Sequence, residues 1–268
     1  MKFYGRFSML RWDMSATAKL LLVEIGTCDE PGFESWSPFC FKAHRALVLA
    51  GLRYQRAIKK MPAEGKAFNP TGQFPSLVVN EGNGGTNVPD STHILHKLDE
   101  LSGGKLTAGL AGKTLGEAWL WEELGDSAVN SFMLAARWAD ADNWPRARDA
   151  ILGGFPKIVR LVGGPIFRRG IVKRLVERDV WRAGAEECWK RFETLLDSLE
   201  ARSPESGYWM ETPGPTVADL GLFAQLQSIR TRISPRQRAL IEARQRLHAW
   251  LDRVDQATQG SAALIDPR

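Results

Sequence analysis

The chain has 268 residues and a formal net charge of +5, and 44% of its residues are apolar. This length can bury one large core or two modest ones, and a change of character near residue 105 favours two domains. The three cysteines, Cys28, Cys40 and Cys188, argue against a secreted disulfide framework and for a cytoplasmic location. No segment approaches the roughly 20 consecutive apolar residues that a membrane-spanning helix needs.

The first half of the chain predicts strands and helices in alternation. Residues 1–18 form an N-terminal extension, and the apolar run "KLLLVEI" (19–25) then predicts a buried strand. A helical period extends from Ser37 to Gly51, and "RYQRAI" (53–58) alternates like a second strand. A strand–helix–strand unit has a right-handed crossover, which makes its two strands parallel.

Two more strands and a helix follow before the character of the chain changes. The segment "NPTGQFPSLVVN" (69–80) runs from turn residues into a strand, and "GNGG" (82–85) predicts a hairpin turn. A short strand follows at Asn87 and Val88, and Ser91 begins a helix. These signals predict an α/β domain over residues 19–102, followed by a linker over 103–112.

Residues 113–268 predict an all-helical domain, because apolar residues recur there at steps of three and four. Two such series include Trp121, Leu124, Ala128, Phe132, Ala135 and Trp138, and Trp181, Ala185, Cys188, Phe192, Leu195 and Leu199. Thr216 and Asp219 resemble a helix-capping box with Asp in place of the usual Glu. A basic stretch at 168–182 is either a solvated helix face or a surface for an acidic partner.

The octapeptide "SWSPFCFK" (35–42) looks like a thioredoxin active-site turn whose first cysteine has become a serine. Pro38 suits the first helical position because it has no N–H to leave unpaired, and Ser37 would be the N-cap. Unpaired N–H groups and the helix dipole favour a negative charge at this point. Ser37 is therefore either a cap only or a group that stabilises a bound anion.

The order of these motifs resembles the glutathione transferase superfamily over most of the chain. The matching features are the turn at Ser37, the segment "GQFPSL" (72–77), the "PDST" segment (89–92) that opens a helix, and the helical second half. The resemblance implies a thioredoxin-like N-terminal domain that binds glutathione and a helical domain that supplies the second substrate site. The sequence is most similar to a bacterial branch related to metaxin and failed-axon-connection proteins.

The resemblance also implies roles for individual residues. Ser37 matches the catalytic position whose hydroxyl donates to the glutathione sulfur. Pro75 matches a cis-proline, and the backbone of Phe74 would pair with the cysteinyl part of glutathione. Asp90 and Ser91 match the pair that takes the γ-glutamyl end. The further positions that the resemblance assigns to glutathione binding are Phe39, Lys42 and Gln73.

The chemistry of a thiol suits the position of Ser37. A free thiol has a pKa of roughly 8.5, so most glutathione is protonated at neutral pH and is a poor nucleophile. Donation from Ser37 and from amides of the first turn would favour the thiolate. Each unit by which the thiol pKa falls corresponds to about 1.4 kcal/mol.

Other residues leave alternatives open. Cys40 is either a packed small apolar residue or the site of a mixed disulfide with glutathione, since Ser37 cannot attack a disulfide. His93 and His96 have a spacing that could share a metal, but nothing clustered completes a site, so no metal is expected. The tryptophans pack the helices, although Trp119, Trp121 or Trp138 could line an apolar second-substrate pocket.

The leading hypothesis is a cytoplasmic glutathione transferase-like enzyme that presents the glutathione thiolate to a small apolar electrophile. By resemblance it would be a homodimer, with no nucleic-acid partner. The alternative is a non-catalytic glutathione-binding or protein-interaction module of the metaxin type. Two segments that are longer than in typical family members, 26–35 and 81–91, favour the alternative.

Overall fold

The computed structural model describes residues 19–81, 84–155, 157–177 and 180–260. The N-terminal extension predicted over residues 1–18 lies outside these residues, and so does the centre of the predicted hairpin turn at 82–83. The linker predicted over 103–112 lies between two helices, one that ends at Ser102 and one that begins at Gly112.

Four strands form one mixed sheet in the order β2-β1-β3-β4. The strands are β1 (Lys19–Ile25), β2 (Tyr54–Lys59), β3 (Ser76–Glu81) and β4 (Gly84–Pro89). β1 and β2 are parallel, with Leu20 opposite Tyr54, as the strand–helix–strand pattern predicts. β3 is antiparallel to both of its neighbours, β1 and β4. The α/β character predicted for this part of the chain is confirmed.

Helices account for the regular structure after the sheet in the described part of the chain. Within the α/β part lie α1 (Pro38–Ala50), a 3-10 helix (Pro62–Ala67) and α2 (Ser91–Ser102). The later helices are α3 (Gly112–Leu124), α4 (Asn130–Leu134), α5 (Trp144–Ile151), α6 (Gly164–Glu177), α7 (Gly184–Arg202), α8 (Val217–Ile229), α9 (Pro235–Glu242) and α10 (Gln245–Thr258). Three π-helical segments, Gly125–Val129, Ala135–Ala139 and Val159–Gly163, adjoin α3, α4 and α6.

Helix α1 is set by its ends. Pro38 occupies the first turn, and the Ser37 side chain accepts a hydrogen bond from the Cys40 amide. Gly51 ends the helix with a left-handed φ of 69°, and its N–H bonds to the carbonyls of Leu47 and Val48. The helix packs on α2 on one side and on α8 and α10 on the other, so even its cationic side chains are buried.

Helix α8 passes through the centre of the helical part, and its N-terminus is held by the predicted cap. The Thr216 amide donates to one oxygen of Asp219 at 2.8 Å. The other oxygen accepts from the Trp209 amide at 2.8 Å and from the Trp250 indole at 2.9 Å. The predicted capping residue therefore also ties the start of α8 to two buried tryptophans, which the sequence pattern alone does not indicate.

Two glycines let α8 approach the end of α3 closely. A Cβ at Gly221 would lie 2.6 Å from the Cα of Glu122, and a Cβ at Gly125 would lie 2.5 Å from the carbonyl oxygen of Gly221. Both distances are far shorter than the roughly 3.5–4.0 Å at which nonbonded carbon atoms pack, so a side chain at either position would clash. Only glycine therefore permits this crossing, which places Glu122 and Asp126 beside the α/β part.

A buried ion cluster links α1 to α3. The Lys42 ammonium lies 2.5 Å from Glu122 Oε1 and 2.5 Å from Asp126 Oδ2, and Lys42 is fully buried. Thr92 Oγ1 donates to Glu122 at 3.0 Å, and Gln225 Nε2 donates to Asp126 at 3.2 Å. The cluster thus joins α1, α2, α3 and α8 around a single ammonium group.

The charge balance of the cluster explains its titration. Burial alone would lower the pKa of Lys42, but the charges of Asp126 and Glu122 outweigh that effect and raise the pKa. Burial raises the pKa of Glu122, against the opposing attraction of Lys42. Lys42 therefore stays charged at neutral pH, and removing it would leave two neighbouring carboxylates without their cation.

We expect Lys42→Met to lower the free energy of unfolding by about 3–5 kcal/mol, because it leaves buried carboxylates without a cation to pair with. Urea denaturation followed by circular dichroism measures the change. The matched control is Lys190→Met, which removes an exposed ammonium paired with Glu186 and Glu187 on α7. That control should leave the midpoint unchanged. Equal, small effects of both substitutions would contradict the pairing of Lys42 with two buried carboxylates.

Candidate active site

Ser37 lies at the N-terminus of α1, where the sequence predicts it. Its Oγ accepts a hydrogen bond from the Cys40 amide at 3.4 Å, and its own amide donates to Ser35 Oγ at 3.2 Å. Ser37 is partly exposed, whereas Ser35 and Cys40 are buried. A hydroxyl group that accepts the cap hydrogen bond can still donate its own hydrogen, and the side chain of Ser37 also interacts with the Cys40 thiol.

A small cavity of about 260 Å³ brings together most of the residues assigned to glutathione binding. Its wall contains the predicted residues Phe39, Gln73, Phe74, Pro75, Asp90 and Ser91. The peptide bond between Phe74 and Pro75 is cis, as the resemblance implies. The remaining residues of the wall, Asn69, Thr71, Pro89 and His93, are not among the predicted site residues.

Asn69 organises the loop that leads to the cis-proline. Its side-chain amide donates to the Gln73 carbonyl at 3.1 Å, and its carbonyl oxygen accepts from the Thr71 amide at 3.0 Å. Asn69 is buried, so these bonds replace contacts with water. Sequence reasoning missed this residue, although an Asn followed by Pro and Gly is a recognisable turn signal.

Asp90 is the N-cap of α2 and has an unusual backbone. Its Oδ1 accepts from the Thr92 amide at 2.9 Å and from the His93 amide at 3.4 Å. Its φ is 72°, a value that a residue other than glycine seldom adopts. Strained backbone of this kind tends to occur at binding sites. Ser91 beside it is buried, and its hydroxyl donates to Asp126 at 3.4 Å.

Two predicted residues lie outside the wall of the small cavity. The ammonium of Lys42 lies in the buried cluster with Glu122 and Asp126, behind the assigned residues Phe39 and Ser91: it is 5.9 Å from the centre of the Phe39 ring and shares Asp126 with the Ser91 hydroxyl. Ser37 lines a second, larger cavity instead. The two cavities flank the first turn of α1, since Ser37 and Pro38 line one and Phe39 lines the other.

The large cavity has a volume of about 390 Å³ and a mostly apolar wall. It lies between the first turn of α1, the π-helical segment Ala135–Ala139 and the segment 151–167. Trp138 lines it, as one of the three tryptophans considered from the sequence. Trp119 stacks on His96 and Trp121 packs against Trp209, so they serve other contacts.

Arg137 is a wall residue that sequence reasoning missed. It is 2% exposed, and its guanidinium donates to the Trp36 carbonyl at 2.5 Å and to the Ser228 carbonyl at 2.7 Å. Burial lowers its pKa to about 10, so it is still charged at neutral pH. No sequence signal identifies it, because an arginine in a helical series predicts an exposed position.

Cys40 is completely buried and is not among the residues that line either cavity. Burial raises the pKa of its thiol to about 12, with the negative charge of Glu24 contributing in the same direction. Such a thiol has almost no thiolate at neutral pH. The packed-residue alternative for Cys40 is the one that fits this environment.

We expect iodoacetamide at pH 8 to alkylate Cys28 before Cys40 or Cys188 in the native protein. Cys28 is partly exposed, whereas the other two cysteines are buried, and burial raises the pKa of the Cys188 thiol to about 12. Peptide mass spectrometry gives the order of labelling, and the protein in urea, where all three should react alike, is the control. Rapid labelling or glutathionylation of native Cys40 would contradict the assignment.

Comparison with known families gives the same division of the chain. The model of the glutathione S-transferase N-terminal domain matches residues 36–101, and that of the C-terminal domain matches residues 182–253. The two matches together span just over half of the chain and include both the first turn of α1 and the cis-proline. The chain belongs to the glutathione S-transferase superfamily.

Individual relatives are distant. The chain is 26% identical over 170 residues to the isoprene-epoxide–glutathione S-transferase of Rhodococcus sp. (strain AD45), covering 63% of this chain and 70% of that protein. FzlA from C. crescentus is similar in structure, with a TM-score of 0.59, 14% identity, and coverage of 88% of this chain and 87% of its own. A glutathione transferase family member from Pseudomonas fluorescens, solved with two glutathione molecules, has a TM-score of 0.56 at 15% identity and 87% coverage of both chains.

The structural likenesses confirm the fold predicted from the sequence, a thioredoxin-like α/β part followed by helices. In the described part of the chain no helix combines the length and the apolar character needed to cross a membrane. The same residues contain no group of three or more metal-binding side chains.

Proposed function

We propose that the protein is a glutathione transferase that uses Ser37 to stabilise the glutathione thiolate and directs it at an electrophile in the large cavity. The observation that carries the proposal is that two cavities flank the first turn of α1. One holds the residues that the family resemblance assigns to glutathione, and the other is large and apolar. A thiolate placed at this turn would face both.

The small cavity suits a charged tripeptide. The Asp90 carboxylate is exposed, and its Oδ2 lies outside the cap bonds to the helix amides, so it can accept from the γ-glutamyl ammonium. Ser91 and the amides at the start of α2 can hold the neighbouring carboxylate. The backbone of Phe74 lies before the cis peptide bond and would pair with the cysteinyl part. Gln73 is exposed at the rim and would contact the glycyl end.

The first turn of α1 favours a sulfur anion. The helix has 13 residues and carries no acidic residue in its first turn, so its positive end is not neutralised. The hydroxyl of Ser37 can donate to the sulfur while its oxygen keeps the Cys40 amide. Together these groups would lower the pKa of the bound thiol and raise the fraction of thiolate at neutral pH.

The large cavity would hold the electrophile close to this sulfur. Its volume of about 390 Å³ is within the range typical of small-molecule sites. The relative from Rhodococcus acts, by its name, on an isoprene epoxide, which is a small and mostly apolar electrophile. Holding both reactants here would contribute through proximity as well as through thiolate stabilisation. On the basis of the family resemblance, we also propose that the protein is a homodimer and that it is cytoplasmic.

A protein-interaction module is the second candidate, and one observation favours it. Several large apolar side chains around α6 are exposed, including Ile158 at 68%, Val162 at 58% and Ile166 at 70%. Exposed apolar residues grouped on one segment can mark an interaction surface. Calorimetric titration with glutathione separates the candidates, since the transferase must show saturable binding and an interaction module need not.

We expect Ser37→Ala to reduce conjugation of a model electrophile by roughly 10²-fold, as is typical when one donor to a developing or bound anion is lost. The thiolate absorbance of bound glutathione, followed against pH, should show a higher thiol pKa in the variant. Ser37→Thr is the matched control, because threonine keeps both the hydroxyl and the cap. An unchanged rate in Ser37→Ala would remove Ser37 from the mechanism.

We expect Asp90→Asn to weaken glutathione binding by about 10-fold or more, because a charge-assisted bond to the ligand's ammonium becomes a neutral one. Asparagine also caps helices well, so the thermal midpoint should stay close to that of the unsubstituted protein. Calorimetry gives the affinity and a thermal melt gives the control. Unchanged affinity would place the γ-glutamyl end elsewhere.

A further inference from the structure

The wall of the large cavity contains buried hydrogen-bond donors without partners. Arg137 Nε, Arg160 Nε and Trp36 Nε1 are buried and have no hydrogen-bond partner among the described residues. All three residues line this one cavity. Buried polar groups in proteins are nearly always satisfied, so unsatisfied donors on three residues of one cavity wall mark this wall as rich in donors. Such a wall favours a ligand that accepts hydrogen bonds.

The charges of the described part of the wall are of one sign. Arg137, Arg160 and Lys60 line the large cavity, and no Asp or Glu among the described residues does. The groups that act electrostatically on Arg137 are Cys28 and Glu30, and Glu30 lies 3.0 Å from Arg232 and is paired there. Among the described residues, the guanidinium of Arg137 is a buried cation that donates to two carbonyl oxygens and lies near the Trp36 ring, with no carboxylate at salt-bridge distance.

A buried cation of this kind favours an anionic oxygen over a neutral one. Hydrogen bonds between charged partners are roughly twice as strong as those between neutral partners. A neutral apolar molecule that filled the cavity would exclude water from Arg137 without forming a hydrogen bond or an ion pair with it. The apolar walls and the cation together select a ligand with a hydrophobic body and an anionic oxygen group.

We propose that the electrophiles of this protein are apolar molecules that carry a carboxylate, and that Arg137 binds that carboxylate. This inference rests on the proposed function, since it names the class of the second substrate at the same site. Arg137 donates to the carbonyl of Trp36, which directly precedes Ser37 in the chain. One small molecule could therefore place its carboxylate at Arg137 and its reactive carbon at the glutathione sulfur. The positive charges of Arg160 and Lys60 would also attract the carboxylate.

The group transfer leaves the carboxylate unchanged. With a chloronitrobenzoate as electrophile, the glutathione sulfur attacks the ring carbon that bears chlorine. A carbon–sulfur bond forms, the carbon–chlorine bond breaks, and chloride leaves with the electron pair. The Arg137 contact fixes which ring carbon faces the sulfur, so it acts on binding and on orientation of the electrophile.

The first experiment measures binding without the reaction. Calorimetric titration of the full chain with 4-nitrobenzoate and with its methyl ester, each with and without glutathione, compares an anionic with a neutral ligand of similar shape. We expect the acid to bind at least 10-fold more tightly, with the preference lost in Arg137→Met and partly kept in Arg137→Lys. Arg236→Met, which removes an exposed arginine of α9 outside the cavity wall, should keep the full preference.

Two results of this titration would overturn the inference. Equal affinity for the acid and the ester would show that the buried cation does not select an anion. Competition between 4-nitrobenzoate and glutathione would assign the cationic wall to a carboxylate of the tripeptide instead. If Arg137→Met does not fold, as judged by circular dichroism, the acid-to-ester ratio in the unsubstituted protein and in Arg137→Lys still decides.

The second experiment measures turnover with 4-chloro-3,5-dinitrobenzoate and its methyl ester, each corrected for its uncatalysed reaction with glutathione. We expect kcat/KM to favour the acid by at least 10-fold, and Arg137→Met to abolish that ratio while conjugation of the ester persists. An epoxide conjugated in an Arg137-dependent manner, without any preference for carboxylates, would contradict the inference. Arg137-dependent binding of the acid in a protein that fails to bind glutathione would refute the proposed function and leave the inference standing.

Discussion

The buried ammonium of Lys42 is the contact that joins the α/β part of the chain to the helical part. It joins α1 to Glu122 and Asp126 at the end of α3, and the side chains of Thr92 and Gln225 connect the same carboxylates to α2 and α8. The first turn of α1 and the start of α2 carry the proposed glutathione site. Because four helices meet at one charge, the position of that site is fixed relative to the helical half of the chain.

This arrangement has an energetic logic. Burying an ammonium between two carboxylates costs desolvation that the attraction only partly offsets, so the cluster specifies an arrangement more than it adds stability. The close crossing of α3 and α8 at Gly125 and Gly221 positions the carboxylates of Glu122 and Asp126 to pair with Lys42. One turn further along α1, the guanidinium of Arg45 lies fully buried against Glu34 and Asp255, which ties α1 to the end of α10. Two buried cations on successive turns therefore hold α1 in place.

Local signals explain why so much of the fold is visible in the sequence. Pro38 and Ser37 at one end of α1 and Gly51 at the other set the helix through their own backbone preferences. Thr216 and Asp219 start α8 in the same way. The residues of the small cavity belong to motifs that recur in a family, so a resemblance could assign them. The same reasoning gave no sign of the ion pairs of Lys42, because its partners lie 80 and 84 residues away.

The sequence by itself determined the order of strands and helices, the parallel start of the sheet and the serine at the first turn of α1, and its family resemblance pointed to the cis-proline. Short-range preferences of the backbone and the spacing of apolar residues suffice for the first three. Only the tertiary structure decided that Ser37 lines the large cavity, that Cys40 is completely buried, and that Arg137 lies buried with no carboxylate beside it among the described residues. Burial and pairing depend on segments far apart in the chain, and no local pattern records which of them meet.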